Sequence, residues 1–135
     1  MYLVNCSLDK GLVTRPVGVK PYSASQAELV AEGAKLWKDP KLSSGGDVSC
    51  NTCHINFSSL NASFAKPYPH KVEMVESKTG LTSTDAEQMV QFCLLMPMGR
   101  DKPLAWDSRE LAALTAYTLQ YQKDYLKAKG IKWAR

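Results

Sequence analysis

What this 135-residue chain lacks sets the first limits. No apolar run approaches the roughly 18 to 20 residues that span a bilayer, which excludes an integral membrane helix. The start, Met1-Tyr2-Leu3-Val4-Asn5-Cys6, has no basic segment followed by an apolar run. It does not read as a signal peptide, so an exported protein would be seen here in its mature form. A strong charge of one sign is missing too. The 17 basic and 13 acidic residues leave a net charge of +4, too weak for a nucleic-acid partner but suited to transient docking on an acidic protein surface. There is no internal repeat and no second C-x-x-C pair, which removes the zinc-ribbon reading. With 44% hydrophobic and 22% charged residues the balance is globular, and the length favours one domain over residues 1–135.

What is present is sharper. Four cysteines fall into a pair and two singles: Cys50 and Cys53 in Cys50-Asn51-Thr52-Cys53-His54, then Cys6 and Cys93 alone. The run C-x-x-C-H is the attachment signature of a c-type haem. Its spacing follows from chemistry. Two thiols two residues apart each form a thioether with one porphyrin vinyl group, and the adjacent imidazole of His54 serves as neutral proximal donor to the iron. A redox dithiol needs only the C-x-x-C. The preceding Ser43-Ser44-Gly45-Gly46-Asp47 reads as a flexible loop that lets the backbone approach the porphyrin edge.

The pattern along the chain is all-α. Residues 1–24 read as an irregular arm, broken by Pro16, Gly18 and Pro21. Ser25 and Glu28 form a capping box that opens a helix over 26–38, ended by Asp39-Pro40. Residues 55–80 read as loop with one helical turn near 71–77. Thr84-Asp85-Ala86-Glu87 opens a second helix running to Leu95, with Ala86, Met89, Val90, Cys93 and Leu94 on one apolar face. Pro97 stops it. Asp107 and Glu110 cap a third helix striped by Leu111, Leu114, Thr118, Tyr121 and Tyr125. Residues 126–135 read as a basic tail, frayed or surface helix.

These pieces, in this order, resemble the class I c-type cytochromes over roughly residues 25–125. The resemblance implies three main helices and long loops wrapped around one covalent haem c. It also implies that the first and last helices cross closely, with Gly33 accepting Tyr117. In that family the sixth iron ligand is a methionine on the loop before the last helix, and Leu95-Met96-Pro97-Met98-Gly99 offers two. Met96 stands just before a proline, as in many members. Met98 is favoured because Met96 still belongs to the last helical turn, because Gly99 frees the backbone beside Met98, and because the nine residues from Met98 to Asp107 suit the crossing loop. His70, sixteen residues after His54, is the rival that would give bis-imidazole ligation. Met74 and Met89 read as surface and core residues.

The segment from Gln91 to Leu104, with Asp107-Ser108-Arg109-Glu110 and Ala116-Tyr117, is similar to the thiosulfate dehydrogenase and SoxA cytochromes. There a cysteine near a helix end precedes a methionine by five residues. Those enzymes use two such domains and a thiolate-ligated haem. Cys93 as thiolate ligand is the corresponding alternative here, and its position inside a helix argues against it. A Cys6–Cys93 disulfide, persisting in an oxidising compartment, would staple the arm to the core.

The expectation is therefore a periplasmic electron carrier and not an enzyme. It holds one haem c on Cys50, Cys53, His54 and Met98 and exchanges single electrons with a redox donor and acceptor. The alternative is a haem-bearing catalytic subunit, or a partner, of a sulfur-compound-oxidising enzyme. Trp106 or Tyr68 would bond a haem propionate, and Lys66, Lys71 and Lys102 would ring the haem edge and steer an acidic partner.

Overall fold

The computed structural model describes residues 7–134. Five α-helices form: α1 Gln26–Leu36, α2 Cys50–His54, α3 Glu73–Thr79, α4 Ala86–Leu95 and α5 Arg109–Lys129. Among the described residues there is no strand, only an isolated antiparallel bridge between His70 and Thr84. The all-helical expectation holds, with α1, α4 and α5 as its three main helices. None of the described helices is long and apolar enough to cross a membrane. Cys6, and with it the Cys6–Cys93 pairing, lies outside the described residues.

Caps explain where the helices begin. The Ser25 side chain accepts from the Glu28 N–H at α1. Asp85 and Gln88 exchange bonds at α4, Asp85 accepting from the Gln88 N–H at 2.7 Å and Gln88 from the Asp85 N–H at 2.9 Å. At α5 the cap is Ser108, not Asp107: its hydroxyl accepts from the Leu111 N–H. Either residue type can cap, and the chain takes the later one. α1 ends at Leu36 rather than at residue 38, because Asp39 turns to cap the short Pro40–Leu42 turn.

α1 lies across α5. Gly33 is what allows it: a Cβ there would meet the Ala113 carbonyl oxygen at 2.2 Å and the Tyr117 Cβ at 2.5 Å. Leu29, Ala113 and Ala116 fill the rest of the crossing. α4 packs on α5 through Val90, Leu94, Leu111 and Leu114, with Leu42 and Met98 in the same cluster.

The described part of the arm, residues 7–24, is irregular apart from a short turn at Lys10–Leu12 but packed, because Val13 is fully buried with Val72, Val75, Phe92 and Leu95. Arg15 pairs with Glu87 of α4, and Tyr22 accepts a hydrogen bond from Arg109 of α5. In the tail the surface-helix alternative holds as far as Lys129: α5 continues to there, Gly130 ends it, and the Ala134 N–H reaches the Ala65 carbonyl at 2.8 Å.

Candidate functional site

The C-x-x-C-H run is a one-turn helix. The Thr52 hydroxyl accepts from the Ser49 N–H at 2.9 Å and closes the turn. This brings Cys50, Cys53 and His54 onto one side, where all three line a mainly apolar cleft of about 310 Å³. The loop before it is ordered rather than flexible. The Ser43 hydroxyl accepts from the Asp47 and Val48 N–H groups at 3.1 Å each and donates to the Pro40 carbonyl. Of that stretch Val48 reaches the cleft.

Neighbouring elements fix the motif in place. The Asn51 N–H donates to the Trp37 carbonyl at 2.9 Å, tying α2 to the end of α1. The Tyr121 hydroxyl donates to the His54 carbonyl and accepts from the Phe57 N–H at 3.1 Å. Asn56, Phe57 and Ser59 have φ of 53°, 62° and 59°, a left-handed path that such residues keep only where the surroundings over-determine it. That path carries the Ser58 carbonyl to within 3.0 Å of His54 Nδ1. With Nδ1 donating there, the other ring nitrogen would be left free to bind iron, as in histidines whose far N–H is held by a carbonyl.

The remaining wall comes from α3, α4, α5 and the loops after α2 and α4. Met98 lies in it and is buried, at 6% exposure. Met96 does not line the cleft; it caps α4 and packs with the Val13 and Phe92 cluster instead. His70 lines the cleft, half-buried, its ring stacked on Tyr68 at 4.4 Å and its Nδ1 3.2 Å from the Pro67 carbonyl oxygen. Burial lowers its pKa, with Lys66 adding to the effect. Cys93 also lines the cleft. Burial pushes its thiol up to about 12, with Cys50 and Cys53 acting in the same direction. Its place inside a helix is therefore no bar to facing the site. Cys50, similarly desolvated, is pushed up to about 11.

Some expected residues are elsewhere. Trp106 does not line the cleft; it packs against the Leu111 cluster and lies under the Arg15 guanidinium at 5.6 Å. Tyr68 does line it, and burial holds its hydroxyl protonated. Lys71 pairs with Glu76 at 3.2 Å, and Lys102 lies in a separate polar cleft with Ser43, Ser44, Arg100 and Asp101. Met74 is at the surface as expected, 40% exposed, and Met89 packs against the Val13 and Phe92 cluster as a core residue, and both also border the main cleft. Trp37 is a further wall residue, 6% exposed, whose indole N–H is buried without a partner.

The residues fit a c-type haem. Two thiols and an imidazole open on a cleft with an apolar lining, sulfur and imidazole donors lie in its other walls, and a buried donor awaits an acceptor that the porphyrin carboxylates would supply.

Comparison with known proteins agrees. The family model described as di-haem cytochrome c peroxidase matches residues 27–128. No curated protein and no solved structure matches the chain. The match supports a c-type cytochrome-related domain and a haem-based redox role. It overturns the expectation of a non-enzyme, since the matching family is one of enzymes. The composition and helices that suggested a simple carrier are shared by both kinds of protein, so the fold alone could not separate them.

Proposed function

The chain belongs to the di-haem cytochrome c peroxidase family, and from that premise we propose that it is an electron-handling haem domain of a periplasmic redox enzyme. The observation that carries this reading is the shared cleft: Cys50, Cys53, His54 and Met98 all open onto it. Cys50 and Cys53 anchor the porphyrin, His54 is the proximal ligand and Met98 the distal one. Haem c held there supplies a reversible one-electron change at iron, its potential raised by thioether ligation. The protein does the rest. The apolar wall excludes water, Ser58 holds the His54 ring, and Tyr121 fixes the backbone between them. One C-x-x-C-H lies in these 135 residues, so they hold an attachment motif for one of the two haems in the family's name. The electron donor and acceptor are redox proteins, and a sulfur-oxidation enzyme among them fits the likeness of the Gln91–Leu104 segment.

The test is the protein produced in a host that matures c-type cytochromes. Haem should resist extraction into acidified organic solvent, and the oxidised form should show the weak far-red sulfur-to-iron band. Met98→Ala should abolish that band, while Met96→Ala and His70→Ala keep it. A colourless product, or extractable haem, refutes the reading. Peroxide consumption with a reduced cytochrome c as electron source then asks whether the family's activity is present.

One observation favours a second reading: Cys93 lines the same cleft as His54. A thiolate there would turn the site toward oxidation of a small sulfur compound. A wild-type spectrum without the far-red band, changed by Cys93→Ser and not by Met98→Ala, would select it.

A further inference from the structure

Gln91 is fully buried on α4, a polar side chain with no solvent to satisfy it. It does not line the cleft. Its amide is matched to a single residue of the following loop: Nε2 donates to the Leu104 carbonyl at 2.9 Å, and Oε1 accepts from the Leu104 N–H at 3.0 Å. That is both backbone groups of one residue held by both ends of one side chain. Leu104 belongs to the loop that carries Met98.

The near end of that loop is held by backbone. The Met98 N–H donates to the Cys93 carbonyl at 3.1 Å and the Arg100 N–H to the Leu94 carbonyl at 3.0 Å. The Ser44 N–H donates to the Met98 carbonyl at 3.1 Å, and the Arg100 guanidinium reaches the Leu42 carbonyl at 3.2 Å. After Arg100 come exposed Asp101 and Lys102, then Pro103, which has no N–H to give. The chain is next tied by side chain to the core at Leu104, by Gln91. Between Arg100 and the Ser108 cap of α5 the loop is otherwise held by packing, Leu104 and Trp106 against the Leu111 cluster and Trp106 under Arg15, so the Gln91 clasp is what fixes the Leu104 backbone.

We propose that Gln91 is the positioning residue of the site: by clasping Leu104 it closes the Met98 loop and holds the Met98 sulfur in the cleft wall. This deepens the reading of Met98 as distal ligand and rests on it for its functional meaning. The placement of Met98 can nevertheless be measured without it.

The experiment uses the haem-loaded protein with its methionine methyl groups labelled with carbon-13, Met98 being assigned through Met98→Ala. In the reduced state a methyl group beside a porphyrin is shifted far from its ordinary position. Gln91→Leu keeps the volume and removes both bonds, so it should move the Met98 methyl back toward the ordinary position. It should also lower the pH at which the far-red band is lost by about one unit, a roughly tenfold gain in the displaced form for two lost hydrogen bonds. Gln91→Glu keeps the acceptor for the Leu104 N–H and should give a smaller change in the same direction. Gln122→Leu is the control. Gln122 is equally buried and clasps the Phe64 and Lys66 carbonyls on the other loop, so its loss should lower stability without moving Met98. A Met98 methyl unmoved by both Gln91 variants overturns the proposal, whatever the band shows. A Met98 methyl that responds in a protein without the far-red band refutes ligation by Met98 and sustains the clasp.

Discussion

Replacing Gly33 with alanine adds one methyl group at the tightest point of the helix crossing. Built on the existing backbone, that carbon lies 2.2 Å from the Ala113 carbonyl oxygen and 2.5 Å from the Tyr117 Cβ. Ordinary contact begins near 3.4 Å, so the first approach is about 1 Å too close. Neither neighbour is the far end of a flexible side chain. One is backbone of α5, and the other is the first carbon of a side chain on the same helix. Relief requires α1 and α5 to move apart, which loosens the packing of Leu29, Ala113 and Ala116. Overpacking of this kind costs about 3 kcal/mol, while alanine in a helix interior returns about 1 kcal/mol over glycine. The net loss is about 2 kcal/mol or more, a fall in Tm of roughly 7 °C or more for a domain of this size. Urea unfolding of the haem-loaded protein, followed by far-ultraviolet circular dichroism, measures it. Truncating the tyrosine cannot rescue the variant, because Tyr117→Ala retains the Cβ and leaves the Ala113 carbonyl untouched. A Gly33→Ala protein as stable as the parent, or more stable, would refute the close crossing.

Tyr121→Phe should lower stability by about 1 to 3 kcal/mol, since it leaves the His54 carbonyl and the Phe57 N–H without their shared partner; an unchanged urea midpoint would show that the hydroxyl does not hold the path after the motif. His70 gives a pH dependence. Its folded pKa lies below the ordinary 6.5, so the unfolded chain takes up the proton first as pH falls. The stability it contributes is fully present above that ordinary value and is lost as pH falls toward the folded one. The urea midpoint of His70→Asn should therefore fall less than that of the parent between about pH 7.5 and pH 5, and equal slopes would refute the assignment.

Local chemistry was legible in the sequence wherever a pattern and its cause lie within a few residues. The haem motif is of this kind, because the vinyl spacing fixes the interval between Cys50 and Cys53. So are the Ser25 and Asp85 caps, whose partners lie three residues on. Gly33 was legible for another reason: a glycine inside a good helix needs a packing cause, and the crossing supplies it. The cap of α5 was misplaced by one residue because Asp107 and Ser108 are both competent. Long-range matters were hidden. Nothing near Val13 announces that it is buried by residues from α3 and α4, so the arm read as loose. Gln91 lies off the apolar stripe of its helix, so that stripe does not mark it as buried. Its partner is thirteen residues away, and no local rule joins a glutamine to a leucine backbone. Met74 and Met89 likewise needed the cleft to exist before either could be placed in it.

The distal side shows why the fold does not by itself separate an electron carrier from a peroxidase. Met98 and Cys93, the proposed and the alternative sulfur ligands, belong to one hydrogen-bonded unit, since the Met98 N–H is bonded to the carbonyl of Cys93. Both side chains face the cleft that His54 faces. A change of ligand between them asks for a rotation of side chains and a small adjustment of the loop, not for another architecture. What biases that choice is the restraint on the loop. On the proposed clasp, Leu104 held by Gln91 and Arg100 tied to Leu42 keep the Met98 side chain in the cleft wall, with Cys93 beside it. On that proposal, variants between Met98 and Ser108 should move the Met98 side chain before they alter the fold.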